Sequence, residues 1–160
     1  CLGPLANPAG ARRQLLGVGR FDLLDKMADA LRQMGTHHAM VLWSKDGLDE
    51  VSLSSTTLVR EVTGERVVSH EWSAEDFGLA QCALTELSAP HSEASAAMIK
   101  EVLAGQSGAT ERIVLANAAA ALLVAGRVQS LPEGVACARQ SIRSGAAQQV
   151  LETLRRLSAS

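Results

Sequence analysis

The chain has 160 residues, a formal net charge of −2 with acidic and basic side chains interspersed, and 47% hydrophobic residues. That is the length and apolar content of one packed domain, and it excludes a chain that is disordered throughout. With no basic face, no Tyr, only two Trp and two Phe, and no apolar run long enough to cross a bilayer, neither nucleic acid nor a membrane is an expected partner.

The elements follow in chain order. "CLGPLANPAG" opens without Met inside what reads as a rigid, proline-stiffened loop, so the chain is expected to be a piece of something longer. Gln14 to Val18 forms a short apolar run ended by Gly19, as a buried strand does. Asp22 is placed to cap a helix whose apolar face is Leu24, Met27, Ala28, Leu31 and Met34, with Gly35 as its stop. His38 to Trp43 is apolar without alternation, which predicts a strand covered on both faces and paired in parallel with the first. "TLVREV" and "RVVSHEW" flank Thr63-Gly64-Glu65 and predict an antiparallel hairpin between Thr57 and Trp72. Ser73 and Asp76 predict a short capped turn.

The second half reads as helix. Ser92 is expected to cap a helix through Leu103, and Thr110 one that runs to Val124 and is apolar nearly all round. Ser130 and Glu133 around Pro132 make a capping-box pattern for a helix ending near Ser144-Gly145, and a last helix covers Ala146 to Leu157. The fold class is therefore α/β: a mixed, mainly parallel sheet with flanking helices, an antiparallel hairpin and a helical C-terminal portion.

"LWSKDGLDEVSLS" places Asp49 and Glu50 just after the second strand. In a parallel sheet ligands bind at the carboxyl ends of strands, so this pair sits where a ligand belongs. Two hard oxygen donors suit Mg²⁺, which typically bridges one or two carboxylates to substrate phosphates, and Gly47 lets the loop turn tightly. A solvated turn before a strand would carry the same residues, and both readings stand at this point.

The other polar candidates point to structure. Asn117, alone among alanines and leucines, reads as a hydrogen-bonded core residue. His37 and His38 read as a solvated turn, while His70 on the hairpin and His91 in a loop have no partner at ligand spacing, so no zinc site is expected. Cys1, Cys82 and Cys137 are odd in number and widely spaced, as reduced thiols of a cytoplasmic protein are, and Cys137 reads as a small hydrophobe within an amphipathic helix. No G-x-S-x-G elbow, dinucleotide fingerprint or Walker loop is present.

"LGPLANPAG", "QLLGVG", "DGLDEVSL", "EDFGL", "VLAGQSG", "VLANAAAALLVAG" and "SGAA" occur in an order and spacing that resembles anthranilate phosphoribosyltransferase, over essentially the whole chain. The resemblance implies a nucleoside phosphorylase/phosphoribosyltransferase-like fold and transfer of a phosphoribosyl group from phosphoribosyl pyrophosphate to anthranilate, in tryptophan biosynthesis, with Mg²⁺ required. It further implies that Asp49 and Glu50 are the magnesium ligands and that the full-length protein is a cytoplasmic homodimer. By the same resemblance, residues 1–160 are part of the C-terminal α/β domain. The N-terminal helical domain and the glycine-rich phosphate loop are absent from them, and the chain alone is expected to be inactive. Ala94-Ser95 departs from the Glu-Asn that the family commonly carries there. The alternatives are a pyrimidine nucleoside phosphorylase-like domain, which shares the architecture, and a non-catalytic half-domain that only pairs with a partner chain.

Overall fold

In the computed structural model, residues 5–7 and 10–158 are described; Cys1 and Gly3, Pro4 and Pro8 of the "GPLANP" stretch lie outside them. The first strand, β1 (Arg13–Gly17), leads through a single 3₁₀ turn, Phe21–Leu23, into α1 (Leu24–Gln33). The chain returns as β2 (His38–Ser44), which pairs in parallel with β1 from Arg13↔His38 to Gly17↔Leu42. A loop of residues 45–56 then reverses it into β3 (Thr57–Thr63), antiparallel to β2, and a tight turn at Gly64 leads into β4 (Arg66–Trp72). Gly64 sits at φ +57°, a left-handed conformation that glycine adopts without a Cβ penalty. Four helices follow: α2 (Ser92–Leu103), α3 (Ala109–Val124), α4 (Leu131–Arg143) and α5 (Ala146–Ser158).

The strands lie in the order β1-β2-β3-β4, and successive residues of β2 point into two different cores. Ala39 and Val41 join Leu24, Met27, Ala28 and Leu31 of α1 on one face of the sheet. Met40 and Leu42 join Leu115, Ala119, Val124, Val135 and Ile142 of α3 and α4 on the other, where Trp72 meets Phe77 edge to face at 5.7 Å. The unbroken apolar run of the second strand thus has the expected cause, helices on both faces. At the centre of the second core α3 and α4 cross closely, because Gly134 of α4 leaves room for the backbone of Ala119.

Several local expectations are corrected. The sheet is mixed, but among the described strands only the β1–β2 ladder is parallel and the two others are antiparallel, since the chain after β2 returns through a loop and not a helix. Asp22 does not cap α1; it lies in the preceding 3₁₀ turn, where Arg20 (2.9 Å) and Lys26 of α1 (3.2 Å) donate to its carboxylate. Ser92 is the first residue of α2 and not its cap, which is His91, whose Nδ1 accepts the Ala94 N–H at 3.2 Å. The Ala94-Ser95 departure thereby falls in the first turn of that helix. Thr110 likewise lies inside α3, which starts after Gly108 without a side-chain cap. Ser130 does accept the Glu133 N–H, while the Glu133 carboxylate reaches one residue further back, to Gln129 N at 2.7 Å.

Met34, placed on the apolar face by its spacing, is exposed beyond the end of α1. The outer side of α3 is only partly covered, with Val114 exposed, so its all-round apolarity does not make it central on every side. No helix among the described residues is long and apolar enough to cross a membrane.

Candidate functional site

The carboxyl ends of β1 and β2 lie side by side, and the 45–56 loop folds over them. Asp49 and Glu50 are both exposed there. Neither carboxylate has a hydrogen-bond or ion-pair partner among the described residues, in a molecule where most other acidic side chains have one. The pair is thus presented to solvent at the place the sequence predicts, and its oxygens are uncommitted.

The backbone beneath the pair is held firmly. Ser44, Thr57 and Ser52 are fully buried and form one directed chain of hydrogen bonds. Ser52 N–H donates to Thr57 Oγ1 (2.9 Å), Thr57 and Ser44 share a hydroxyl hydrogen bond (2.7 Å), and Ser44 Oγ donates to Glu50 C=O (2.6 Å). Each hydroxyl donates once and accepts once, so nothing in this buried network is left unpaired. From α3, Asn117 Oδ1 accepts the Val51 N–H at 2.9 Å, and its Nδ2 donates to Val51 C=O (3.2 Å) and Ile113 C=O (3.0 Å). Val51 and Leu53 point down into the core between these polar anchors.

At the neck of the loop Asp46 gathers Ser52 Oγ (2.5 Å), Ser54 Oγ and the Leu48 N–H (3.4 Å). Burial works against its charge, but these hydrogen bonds outweigh that and hold the Asp46 carboxyl below the ordinary aspartate range. Gly47, at φ +94°, makes the tight reversal. Finally, the Asp49 carbonyl rests directly on Gly17 at the end of β1: a Cβ built on Gly17 would lie 1.5 Å from that oxygen. Gly17 is not in a left-handed conformation, so glycine is required there by contact alone.

Of the residues singled out from the sequence, Asp49, Glu50, Gly47 and Asn117 converge on this loop; Asn117 is hydrogen-bonded as expected, and its partner is the loop backbone. The sequence reading passed over Asp46, Ser44, Ser52, Ser54, Thr57 and Gly17. The available signals were the density of hydroxyl residues between Ser44 and Thr57 and a glycine ending an apolar strand.

The remaining candidates lie elsewhere. His37 is exposed at a turn, as expected, but His38 is not a turn residue: it begins β2, half-buried, with Nδ1 3.0 Å from Val124 O and Nε2 2.8 Å from Glu61. His70 Nε2 reaches the other Glu61 oxygen at 2.8 Å, so each of these two histidines has the acidic partner that sequence spacing did not reveal. Pairing across neighbouring strands supplied it. Burial opposes the charge on Glu61, yet the hydrogen bonds from His70 and His38 prevail and hold its carboxyl below the ordinary glutamate range. Cys82 is buried, which raises its thiol pKa, and Cys137 is exposed on α4, lining an apolar groove of about 570 Å³ between α2, α3 and α4. No cluster of three or more His, Cys, Asp or Glu side chains suited to a metal occurs among the described residues.

The chain is thus an α/β domain with helices on both faces of its sheet and an exposed carboxylate pair over the ends of two parallel strands. Residues 1–148 match the family described as "Glycosyl transferase family, a/b domain", and the chain belongs to that family. It is 46% identical over 153 residues to the anthranilate phosphoribosyltransferase of Laribacter hongkongensis, covering 96% of this chain and 45% of that protein. The crystal structure of anthranilate phosphoribosyltransferase from Thermus thermophilus superposes with a TM-score of 0.82 at 35% identity, over 95% of this chain and 45% of that one. The anthranilate phosphoribosyltransferase of Saccharomyces cerevisiae in complex with PRPP and Mg superposes with a TM-score of 0.78 at 27% identity, over 88% and 41%. The chain thus spans about half the length of the curated relatives it matches.

Proposed function

We propose that residues 1–160 form the metal-holding part of an anthranilate phosphoribosyltransferase, with Asp49 and Glu50 as the Mg²⁺ ligands. The observation that carries this reading is the presentation of two adjacent, unpartnered carboxylates on a braced loop at the carboxyl ends of β1 and β2. The donor set fits the ion. Mg²⁺ keeps several waters and takes one or two carboxylates plus substrate phosphate oxygens, so a pair without a third ligand among the described residues suits a shared metal–phosphate site. Family membership and the relatives' names support the reaction class, and the yeast protein's complex with PRPP and Mg supports the ligand pairing.

In the proposed reaction the bond between the anomeric carbon of phosphoribosyl pyrophosphate and pyrophosphate oxygen breaks, a carbon–nitrogen bond to the anthranilate amine forms, and the amine loses a proton. Mg²⁺, when bound, supplies positive charge against the oxygens of the leaving pyrophosphate. Asp49 and Glu50 contribute oxygen donors and no proton transfer. Ser44, Asn117 and Gly17 keep the loop that carries them at the strand ends, so the donors need no reorganisation as charge develops. No side chain here is required as a nucleophile. The phosphate-cradling loop and the anthranilate contacts belong, on this reading, to the upstream portion of the whole protein. The relatives named above give no support to a nucleoside phosphorylase.

The test joins residues 1–160 to the upstream half of the Laribacter protein and follows anthranilate consumption with phosphoribosyl pyrophosphate and Mg²⁺. Asp49→Asn and Glu50→Gln are expected to lower turnover by ~10²-fold or more, with partial recovery at raised Mg²⁺. Unchanged turnover in both variants would remove the pair from the site.

A further inference from the structure

Glu50 is flanked by two peptide groups, and the fold pins both of them. The peptide before it, between Asp49 and Glu50, is fixed by contact: the Asp49 carbonyl oxygen lies against the bare Cα of Gly17. The peptide after it, between Glu50 and Val51, is gripped at both ends. Its carbonyl accepts from the Ser44 hydroxyl at 2.6 Å, and its N–H donates to Asn117 Oδ1 at 2.9 Å. With the two planes on either side held, the direction in which the Glu50 Cα–Cβ bond leaves the backbone is fixed by residues from β1, β2 and α3, while the side chain itself stays free in solvent.

Asn117 is the remote member of this grip, 66 residues along the chain. Its amide is fully committed, with the oxygen on Val51 N–H and the nitrogen on Val51 C=O and on Ile113 C=O one turn earlier in its own helix. The Ile113 bond fixes the amide's orientation, so the helix presents one acceptor and one donor to the loop as a neighbouring strand would. A side chain needed only to satisfy its own helix would stop at Ile113.

We propose that Asn117 is a positioning residue for divalent metal: acting through the 50–51 peptide and together with Ser44, it sets the spacing of the Asp49 and Glu50 carboxylates. This rests on the reading of that pair as the metal ligands. Residues that orient a metal's direct ligands typically carry ~10–100-fold of its affinity. Asn117→Leu, which keeps the volume and removes both bonds to Val51, is therefore expected to weaken Mn²⁺ binding by about 10-fold or more.

The experiment titrates the same chimera, residues 1–160 joined to the upstream half of the Laribacter protein, with Mn²⁺ in the presence of phosphoribosyl pyrophosphate and without anthranilate, and reads protein-bound ion by water-proton relaxation enhancement, beside a thermal melt of each protein. Asp49→Asn is expected to abolish the bound signal; if it binds as the parent does, the metal reading fails and this proposal with it. If Asp49→Asn loses the ion but folded Asn117→Leu binds at parental affinity, the metal reading survives and the positioning role is overturned. A purely structural Asn117 would lower the melting temperature and leave Mn²⁺ affinity unchanged at temperatures where the variant is folded. Ser44→Ala releases the same peptide from its other end and carries the test should Asn117→Leu not fold: several-fold weaker binding supports the grip, and parental affinity refutes it.

Discussion

Gly17→Ala tests the packing beneath the carboxylate pair. The added Cβ would lie 1.5 Å from Asp49 O and 2.6 Å from its carbonyl carbon, and both are backbone atoms that no rotamer change can move aside. Restoring ordinary contact takes a displacement of about 2 Å. β1 is held along its length by β2, so the loop has to move. A shift of that size stretches the Ser44–Glu50 and Asn117–Val51 hydrogen bonds beyond bonding distance and leaves polar backbone groups at the loop base unpaired.

Overpacking costs about 1–3 kcal/mol, and each lost bond adds about 1 kcal/mol. Against this, alanine restricts the unfolded chain and returns about 0.4–1 kcal/mol. The balance is a loss of about 3 kcal/mol, a fall in melting temperature of roughly 6–12 °C for a chain of this size. Urea melts would measure the loss, and amide chemical shifts of Asp49, Glu50 and Val51 would locate it. A variant within about 0.5 kcal/mol of the parent with those three resonances unmoved would show that the loop does not rest on Gly17.

Gly134→Ala sets helix propensity against packing. Alanine favours a helix interior by about 1 kcal/mol, but the new Cβ would meet Ala119 Cα and Cβ at 2.8 Å, so net destabilisation of about 1–2 kcal/mol is expected in urea melts, and a gain would refute the close crossing of α3 and α4. Glu61 carries a pH dependence. Its folded pKa is depressed, so its contribution to stability is complete above the unfolded glutamate value of 4.5 and is lost as pH falls through the lower folded value. The stability gap between parent and Glu61→Gln, followed by denaturant midpoint from about pH 6 to about pH 3, should narrow toward acid; a gap constant over that range would mean that His38 and His70 do not stabilise the charged carboxylate.

Much of the molecule was legible in local sequence because it is locally determined. Apolar spacing fixes the buried face of α1, an unbroken apolar run marks β2, Gly64 marks the hairpin turn, and Ser130 with Glu133 opens α4. The placing of the carboxylate pair was legible for the same reason, since Asp49 and Glu50 stand in the loop that follows the buried strand β2. What local sequence could not decide were contests between near-equivalent groups. Asp22 and Ser92 are good caps, but Arg20 and Lys26 engage the Asp22 carboxylate, and His91 accepts the N–H that caps α2. Tertiary structure alone brought Glu61 between His38 and His70, because strand register, and not sequence distance, sets which side chains face each other. It also joined Gly17, Ser44 and Asn117 beneath the carboxylate pair: the parallel β1–β2 ladder brings the ends of those two strands together, and the packing of α3 sets its middle against the loop they carry. The sequence thus determined which residues carry the charge, and the fold determined how firmly and in what direction they are held.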